Sequence, residues 1–213
     1  ALCEIKVPER NPDETPLFLV ARSFDINKPG TKPSNLHGAV LGGTLKKGTL
    51  KVEDIIEIKP GIMTKEANQL KYKTLKTKIA SLFKGSGKVE KITPGGNASI
   101  ETELDMALGK TDNLSGCVVS LNGKLPEITN KITIKYHLFK EFLGGIQIPS
   151  LKPSETIMLS INTSVTVGAI SKLGKEEAEI NLKIPVVPFK DNKVGIARNI
   201  NNHWRLIGHG EIK

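Results

Sequence analysis

The sequence predicts an all-β protein, two antiparallel β-barrels in tandem. Three observations carry this. From Val20 to Pro60 apolar residues fall near every second position, the period of a half-buried strand. Glycines such as Gly30, Gly38, Gly42, Gly43 and Gly48 mark the corners of that stretch, where tight bends need backbone angles that glycine takes without a Cβ penalty. The same texture restarts after Pro126, with strand-like runs at intervals of roughly 8–12 residues and turn residues between them.

The elements follow in order. Residues 1–16 hold three prolines and many charges and read as an extended linker from something upstream. Leu17 to Phe24 is a strand of branched and aromatic residues. Lys28 to Asn35 is a loop, broken by Pro29-Gly30 and Pro33-Ser34. Strands are predicted at 39–45 and 50–59, joined at Lys46-Lys47-Gly48. Gly61 to Leu75 is polar and lysine-bearing, a hairpin tip or an ordered loop. Lys76 to Phe83 returns as a strand, and turns follow at Gly85-Ser86-Gly87 and Pro94-Gly95-Gly96. Asn97 to Thr102 is a strand, 103–113 a short helical turn, Ser115 to Leu121 a strand, and Asn122-Gly123 closes the section. A boundary near residue 124 divides barrels at 17–124 and 125–213. In the second, Ile132, Ile134 and Tyr136 alternate, and His137 to Gly145 is read as one helical turn. Glu155 to Val167 is apolar and β-branched, and Ser171 to Gly174 is a turn. Ala178 to Val187, Lys193 to Arg198 and Trp204 to Lys213 complete the strands, with Trp204 expected in the core.

Composition narrows the function. The chain has 31 basic and 22 acidic residues, a net charge of +9. That excess favours a polyanionic partner through counterion release, or is a solvated lysine-rich surface. Aromatic residues are only 4%, too few for an extended base-stacking platform. No run is long enough to span a membrane, and no signal segment opens the chain; a cytoplasmic protein is expected. Cys3 and Cys117 are far apart without CxxC spacing, which reads as two unpaired thiols. Histidines at 37, 137, 203 and 209 are scattered and form no ligand cluster in the sequence.

The catalytic inventory is nearly empty. Gly85-Ser86-Gly87-Lys88 lacks the four-residue arch of a phosphate loop, and Val89 stands where the magnesium-binding hydroxyl belongs. It reads as a lysine-bearing hairpin turn. Glu101, Glu103 and Asp105 are closely spaced, but nothing else converges on them, as an acid–base pair requires. The chain is expected not to be an enzyme by itself.

Several blocks carry a family resemblance. Arg22-Ser23-Phe24-Asp25 through Pro29-Gly30, with the Gly38-to-Pro60 run, resembles domain 2 of elongation-factor-like translational GTPases. The match is closer to the gamma subunits of eukaryotic and archaeal translation initiation factor 2. Ser81-Leu82-Phe83 with Thr93-Pro94-Gly95-Gly96, Thr111-Asp112 with Leu114-Ser115-Gly116, and Leu125-Pro126-Glu127-Ile128 agree with it. So do His203-Trp204-Arg205-Leu206-Ile207-Gly208 and Gly210-Glu211-Ile212. Three positions depart from the family pattern: His209 replaces a common tryptophan, Asn113 a common basic residue, and Arg198-Asn199 lacks a second arginine.

The resemblance implies domains 2 and 3 of such a subunit, with the GTP-binding domain upstream and absent. GTP and magnesium would belong to that domain and none to this stretch. Implied partners are initiator methionyl-tRNA, the alpha subunit, the beta subunit through the GTP-binding domain, the small ribosomal subunit, and an ATP-grasp-type assembly chaperone at the third domain. For the tRNA 3′ end the resemblance points to Arg22, Ser23, Phe24, Phe83 and Lys84. Arg22 suits a phosphate or a barrel salt bridge, Phe24 a terminal base or the core, and Lys84 a phosphate or solvent. The loops carrying Lys28, Lys32 and His37, and Met63, Lys65, Lys71 and Lys73, are assigned to alpha-subunit docking. Arg198, His203 and Arg205 are assigned to a partner surface on the third domain. The rival readings are the barrels of another aminoacyl-tRNA-carrying elongation factor and a pure protein-docking module.

Overall fold

The computed structural model describes residues 11–66, 69–142, 145 and 147–213. Cys3 and most of the linker stretch lie outside them. The chain forms two compact units. One takes the chain up to Ile58 together with Leu75–Lys124, and the other takes Lys59–Thr74 with Leu125–Lys213.

The first unit is built on β1 (Leu17–Phe24), β2 (Val40–Lys47), β3 (Leu50–Lys51), the start of β4 (Ile55–Glu66), the part of β5 (Gln69–Lys84) from Leu75 on, β6 (Gly87–Val89), β7 (Lys91–Ile92), β8 (Asn97–Thr102) and β9 (Val118–Leu121). The strand order is β4-β9-β1-β2-β8-β5, and the β4–β5 pairing closes the ring; β6 adds to the other edge of β5. Phe18, Val20, Leu41, Leu82 and Ile100 point inward and are fully buried, each contributing about 1.5–3 kcal/mol by leaving water. A 3-10 stretch, Met106–Asp112, lies against β1. Residues 11–16 are tied down: Gly48 donates its N–H to Asn11 O, and Ser120 Oγ donates to Pro16 O at 2.5 Å.

The second unit is a closed barrel in the order β10-β13-β12-β11-β14-β15. Its strands are β10 (Thr129–Leu138), β11 (Thr156–Ile161), β12 (Ser164–Leu173), β13 (Glu177–Val186), β14 (Lys193–Ile200) and β15 (His203–Ile212). Ile134, Ile157, Leu159, Ile180, Ile196 and Ile207 fill it. The first and last strands, β10 and β15, meet at the closing seam.

Four expectations are corrected. Gly61–Leu75, read as a tip or loop, is strand on both sides, β4 running to Glu66 and β5 starting at Gln69. Lys59–Thr74, read with the first barrel, groups with the second unit. The Glu155–Val167 run is two strands, turned at Asn162 with φ +54° and no glycine or proline. The predicted turn at 171–174 begins later, since β12 runs to Leu173. The helical turn predicted at 137–145 falls partly outside the described residues. Within them, His137 and Leu138 are strand and Glu141 bridges to Gln147.

Candidate nucleic-acid interface on the first barrel

A β-bulge decides which way the Arg22 block faces. Val20 pairs with Gly43, but Arg22 pairs with Gly42, so Ala21 is the extra residue. Strict alternation from Phe18 and Val20 would send Arg22 into the core. One inserted residue reverses the parity: Ser23 turns inward, and Arg22 and Phe24 turn out. Ser23 is buried, and its Oγ accepts the Leu114 N–H at 3.0 Å. Ser23 is thus committed to the barrel interior.

On the outer face the register draws a line across five strands. Arg22 pairs with Gly42, Gly42 with Ser99, Ser99 with Phe83, and Phe83 with Lys88. At roughly 4.8 Å between strands, Arg22 and Phe83 stand about 14 Å apart at their backbones. The floor between them is one glycine and one serine. The Phe24 ring leans over that floor: a Cβ on Gly42 would lie 3.3 Å from Phe24 Cζ. The result is a shallow apolar trough with a cation at each end. Lys84, one residue along, has the opposite parity and sits exposed at the rim beside the β5–β6 turn. The structure therefore separates Lys84 from Phe83. Lys88 is the cation that shares the row, and only the hairpin register reveals it.

Arg22 is held in place. Its Nε donates to both carboxylate oxygens of Asp112, at 2.9 and 3.0 Å, and Asp112 also accepts the Ser23 N–H at 2.9 Å. The Arg22 guanidinium, then the Ser23 N–H, hold the Asp112 carboxyl below its ordinary range. Among the described residues the Nη groups of Arg22 carry no hydrogen bond, and the side chain is 69% exposed. A guanidinium fixed through Nε with its terminal nitrogens in solvent is presented for a bidentate oxyanion.

Beside the trough lies a second polar cluster. His37 Nδ1 meets Glu101 Oε1 at 2.6 Å, and Ser81 Oγ donates to Glu101 Oε2. Asn27 brackets the His37 backbone, accepting its N–H at 2.8 Å and donating to its carbonyl at 2.7 Å. Burial works to raise the Glu101 carboxyl, but the Ser81 and His37 hydrogen bonds, with the charges of His37 and Lys88, bring it below its ordinary value. Serine, carboxylate and imidazole are all present, but the carboxylate stands in the middle. Nucleophile activation by a triad needs the imidazole between the other two; this order is not that of a triad, and the cluster ties the His37 loop to β8 and β5. Gly85-Ser86 is the tip of the β5–β6 hairpin, not a phosphate loop.

Comparison with known proteins identifies relatives of the chain. The model described as "Initiation factor eIF2 gamma, C terminal" matches residues 130–212. The chain is 42% identical over 212 residues to translation initiation factor 2 subunit gamma of Pyrococcus horikoshii, and 45% identical to that of Methanocaldococcus jannaschii. Each match covers 98% of this chain and 52% of the relative. The chain belongs to the translation initiation factor 2 gamma family. It spans about half the length of the curated relatives it matches. Among solved structures, a bacterial selenocysteine-specific elongation factor, EF-Sec, shares the fold, with a TM-score of 0.70 at 18% identity over 97% of this chain and 29% of that one.

In this family member, the residues assigned to docking fall in two places. Lys28, Lys32 and His37 lie in the first unit, on the loop before β2. Met63, Lys65, Lys71 and Lys73 lie on the β4–β5 arm of the second unit. Met63 is 57% exposed and, with Tyr72, Ile128, Asn130, Lys183, Ile184 and Pro185, lines a groove of about 650 Å³.

At the β14–β15 hairpin, Asn201 and Asn202 both take positive φ, as a two-residue turn of that hand requires. His203 and Arg205 are exposed there. Arg198 is not a free surface cation: it binds the Glu155 carboxylate and donates to the carbonyls of Pro149 and Ser150, at 2.9 and 3.1 Å. Trp204, expected in the core, is 39% exposed. Ile196 pairs with Gly208 but Ala197 with Leu206, so Ile207 is an inserted residue. The bulge turns Trp204 and Leu206 outward.

Proposed function

We propose that these two barrels serve translation initiation within a gamma subunit, contributing to binding of initiator methionyl-tRNA and to assembly with the alpha subunit. The observation that carries the reading is the Arg22–Gly42–Ser99–Phe83–Lys88 row. A shallow trough with half-buried aromatic rings and a cation at each end suits a single-stranded, aminoacylated RNA terminus. The arginine fork takes a phosphate, and Phe24 and Phe83 offer faces for a base or ribose. The Lys28–His37 loop and the Met63–Lys73 arm are the alpha-subunit candidates, as segments that project from a rigid scaffold often carry binding. His203 and Arg205 are the candidates for a chaperone of the ATP-grasp type at the second barrel.

Within a whole subunit, GTP and magnesium would be held by a GTP-binding domain, which would also connect to the beta subunit and present the assembly to the small ribosomal subunit in the cytoplasm. The described residues offer no loop to cradle a nucleotide phosphate, so no hydrolytic step is assigned to them. The test is a binding titration of aminoacylated initiator tRNA with the chain and with Arg22→Ala and Lys88→Ala. Each variant should bind more weakly with an unchanged unfolding midpoint. Unchanged affinity in both variants would leave the row without a role in RNA binding and favour the docking-module reading.

A further inference from the structure

We propose that the closing seam of the second barrel carries a metal site: His137 on β10 and His209 on β15 chelate one divalent first-row transition ion. The two histidines are 72 positions apart in the sequence and show no ligand spacing. Barrel closure makes them direct cross-strand partners, in the run Lys135↔Glu211, Tyr136↔Gly210, His137↔His209. Both are exposed on the outer face.

The ring geometry fits. A metal bound by one nitrogen of each imidazole at about 2.0–2.1 Å, with a tetrahedral angle between the ligands, puts the ring centroids about 5.2 Å apart. The centroids stand 5.4 Å apart, with the planes at 43°. Phe139 packs on His209 at 6.0 Å, which limits the ways that ring can turn. Beside the pair is a cavity of about 420 Å³ with Lys135, Tyr136, Glu176 and Glu211 on its walls. It has room for the waters that complete the coordination shell, each taking about 30 Å³. Lys135, the lysine on the cavity wall, is ion-paired to Glu176 at 3.6 Å, and Glu211 is ion-paired to Lys193.

Among the described residues no group of three or more His, Cys, Asp or Glu side chains is arranged to hold a metal ion. The site is therefore a two-ligand chelate with exchangeable water, not a closed structural centre. Imidazole ligation predicts the order copper(II) above nickel(II), with zinc(II) below copper(II). Because the two ligands come from the first and last strands of the barrel, the ion bridges the seam. Binding to the folded form alone must then stabilise this unit as the metal concentration rises.

The experiment is a calorimetric titration of the chain with nickel(II) chloride, repeated on His137→Asn, His209→Asn and His203→Asn. Saturable binding of one ion, weakened by at least about tenfold in each of the first two variants and unchanged in the third, is expected. The unfolding midpoint should climb with nickel in the unmutated chain and in His203→Asn. In the unmutated chain, copper(II) should broaden the His137 and His209 imidazole resonances before any other. No saturable binding, binding that survives both seam substitutions, or broadening that begins at another residue would overturn the proposal.

Discussion

Lys59 is a buried lysine with a specific job, and removing it should cost the second unit far more than removing its ion-pair partner. Its side chain is 6% exposed, and Nζ donates to Leu125 O at 3.2 Å, to Pro126 O at 3.1 Å and to Glu127 Oε1 at 3.2 Å. Lys59→Met keeps the stem and deletes the ammonium. Two hydrogen bonds from a charged donor to carbonyls are worth about 3–6 kcal/mol together before compensation. The variant no longer has to desolvate an ammonium, which returns several kcal/mol. What remains is chiefly the loss of a donor at the two carbonyls, about 1–3 kcal/mol at buried Leu125 and less at exposed Pro126. A net loss of about 2–3 kcal/mol is expected from these terms. Glu127 is 93% exposed, so Glu127→Gln should change stability by less than about 0.5 kcal/mol. The assay is urea unfolding followed by the fluorescence of Trp204, the one tryptophan of the chain, which belongs to the same unit as Lys59. With a slope of about 1–3 kcal/mol per molar urea, Lys59→Met should lower the midpoint by about 1 M. A Lys59→Met midpoint equal to that of the unmutated chain, or a Glu127→Gln loss as large as that of Lys59→Met, would refute the reasoning.

Two more predictions concern backbone approach and acid stability. Gly61 has φ +85°, and a Cβ there would lie 2.0 Å from Lys73 O; Gly61→Ala should destabilise by about 1–3 kcal/mol in the same urea assay. Gly85→Ala, at φ +62° with open space around it, should cost less, and equal losses would show that the close approach does not matter. Glu101 has its folded carboxyl below the ordinary 4.5. Its contribution is then present above that value and fades as the pH falls through the folded one. Unfolding midpoints measured from neutral pH into the acid range should fall less steeply for Glu101→Gln than for the unmutated chain, and parallel curves would remove Glu101 from the account.

Much of the architecture was legible because the chain alternates strongly where strands are half-buried. Asn97–Thr102 and Glu177–Val186 show their period in the side chains, and Leu17–Phe24 shows its strand character in branched and aromatic residues. The β4–β5 arm did not, because its half-buried positions are filled by Tyr72 and Thr74 between exposed Lys71 and Lys73, so alternation of burial is not alternation of hydrophobicity. The turn at Asn162 was hidden because asparagine in the left-handed region replaced the expected glycine or proline.

The site was harder to read for one repeated reason. Inserted residues at Ala21 and Ile207 reverse the facing of everything beyond them, and no local pattern announces a bulge. Composition alone cannot say that Ser23 is internal, that Trp204 is external or that Arg198 is spent on Glu155. Lys88 and the His137–His209 pair were missed because each depends on cross-strand register, which places residues together only after the barrel closes.

The most direct test of the central claim is the salt dependence of initiator tRNA binding, compared between the chain and Arg22→Ala. If the outer face of the first barrel contacts RNA phosphates, log K falls linearly with log salt, and losing one contact reduces the slope by about 0.7–0.9. Binding with no salt dependence, or identical slopes for the two proteins, would contradict it.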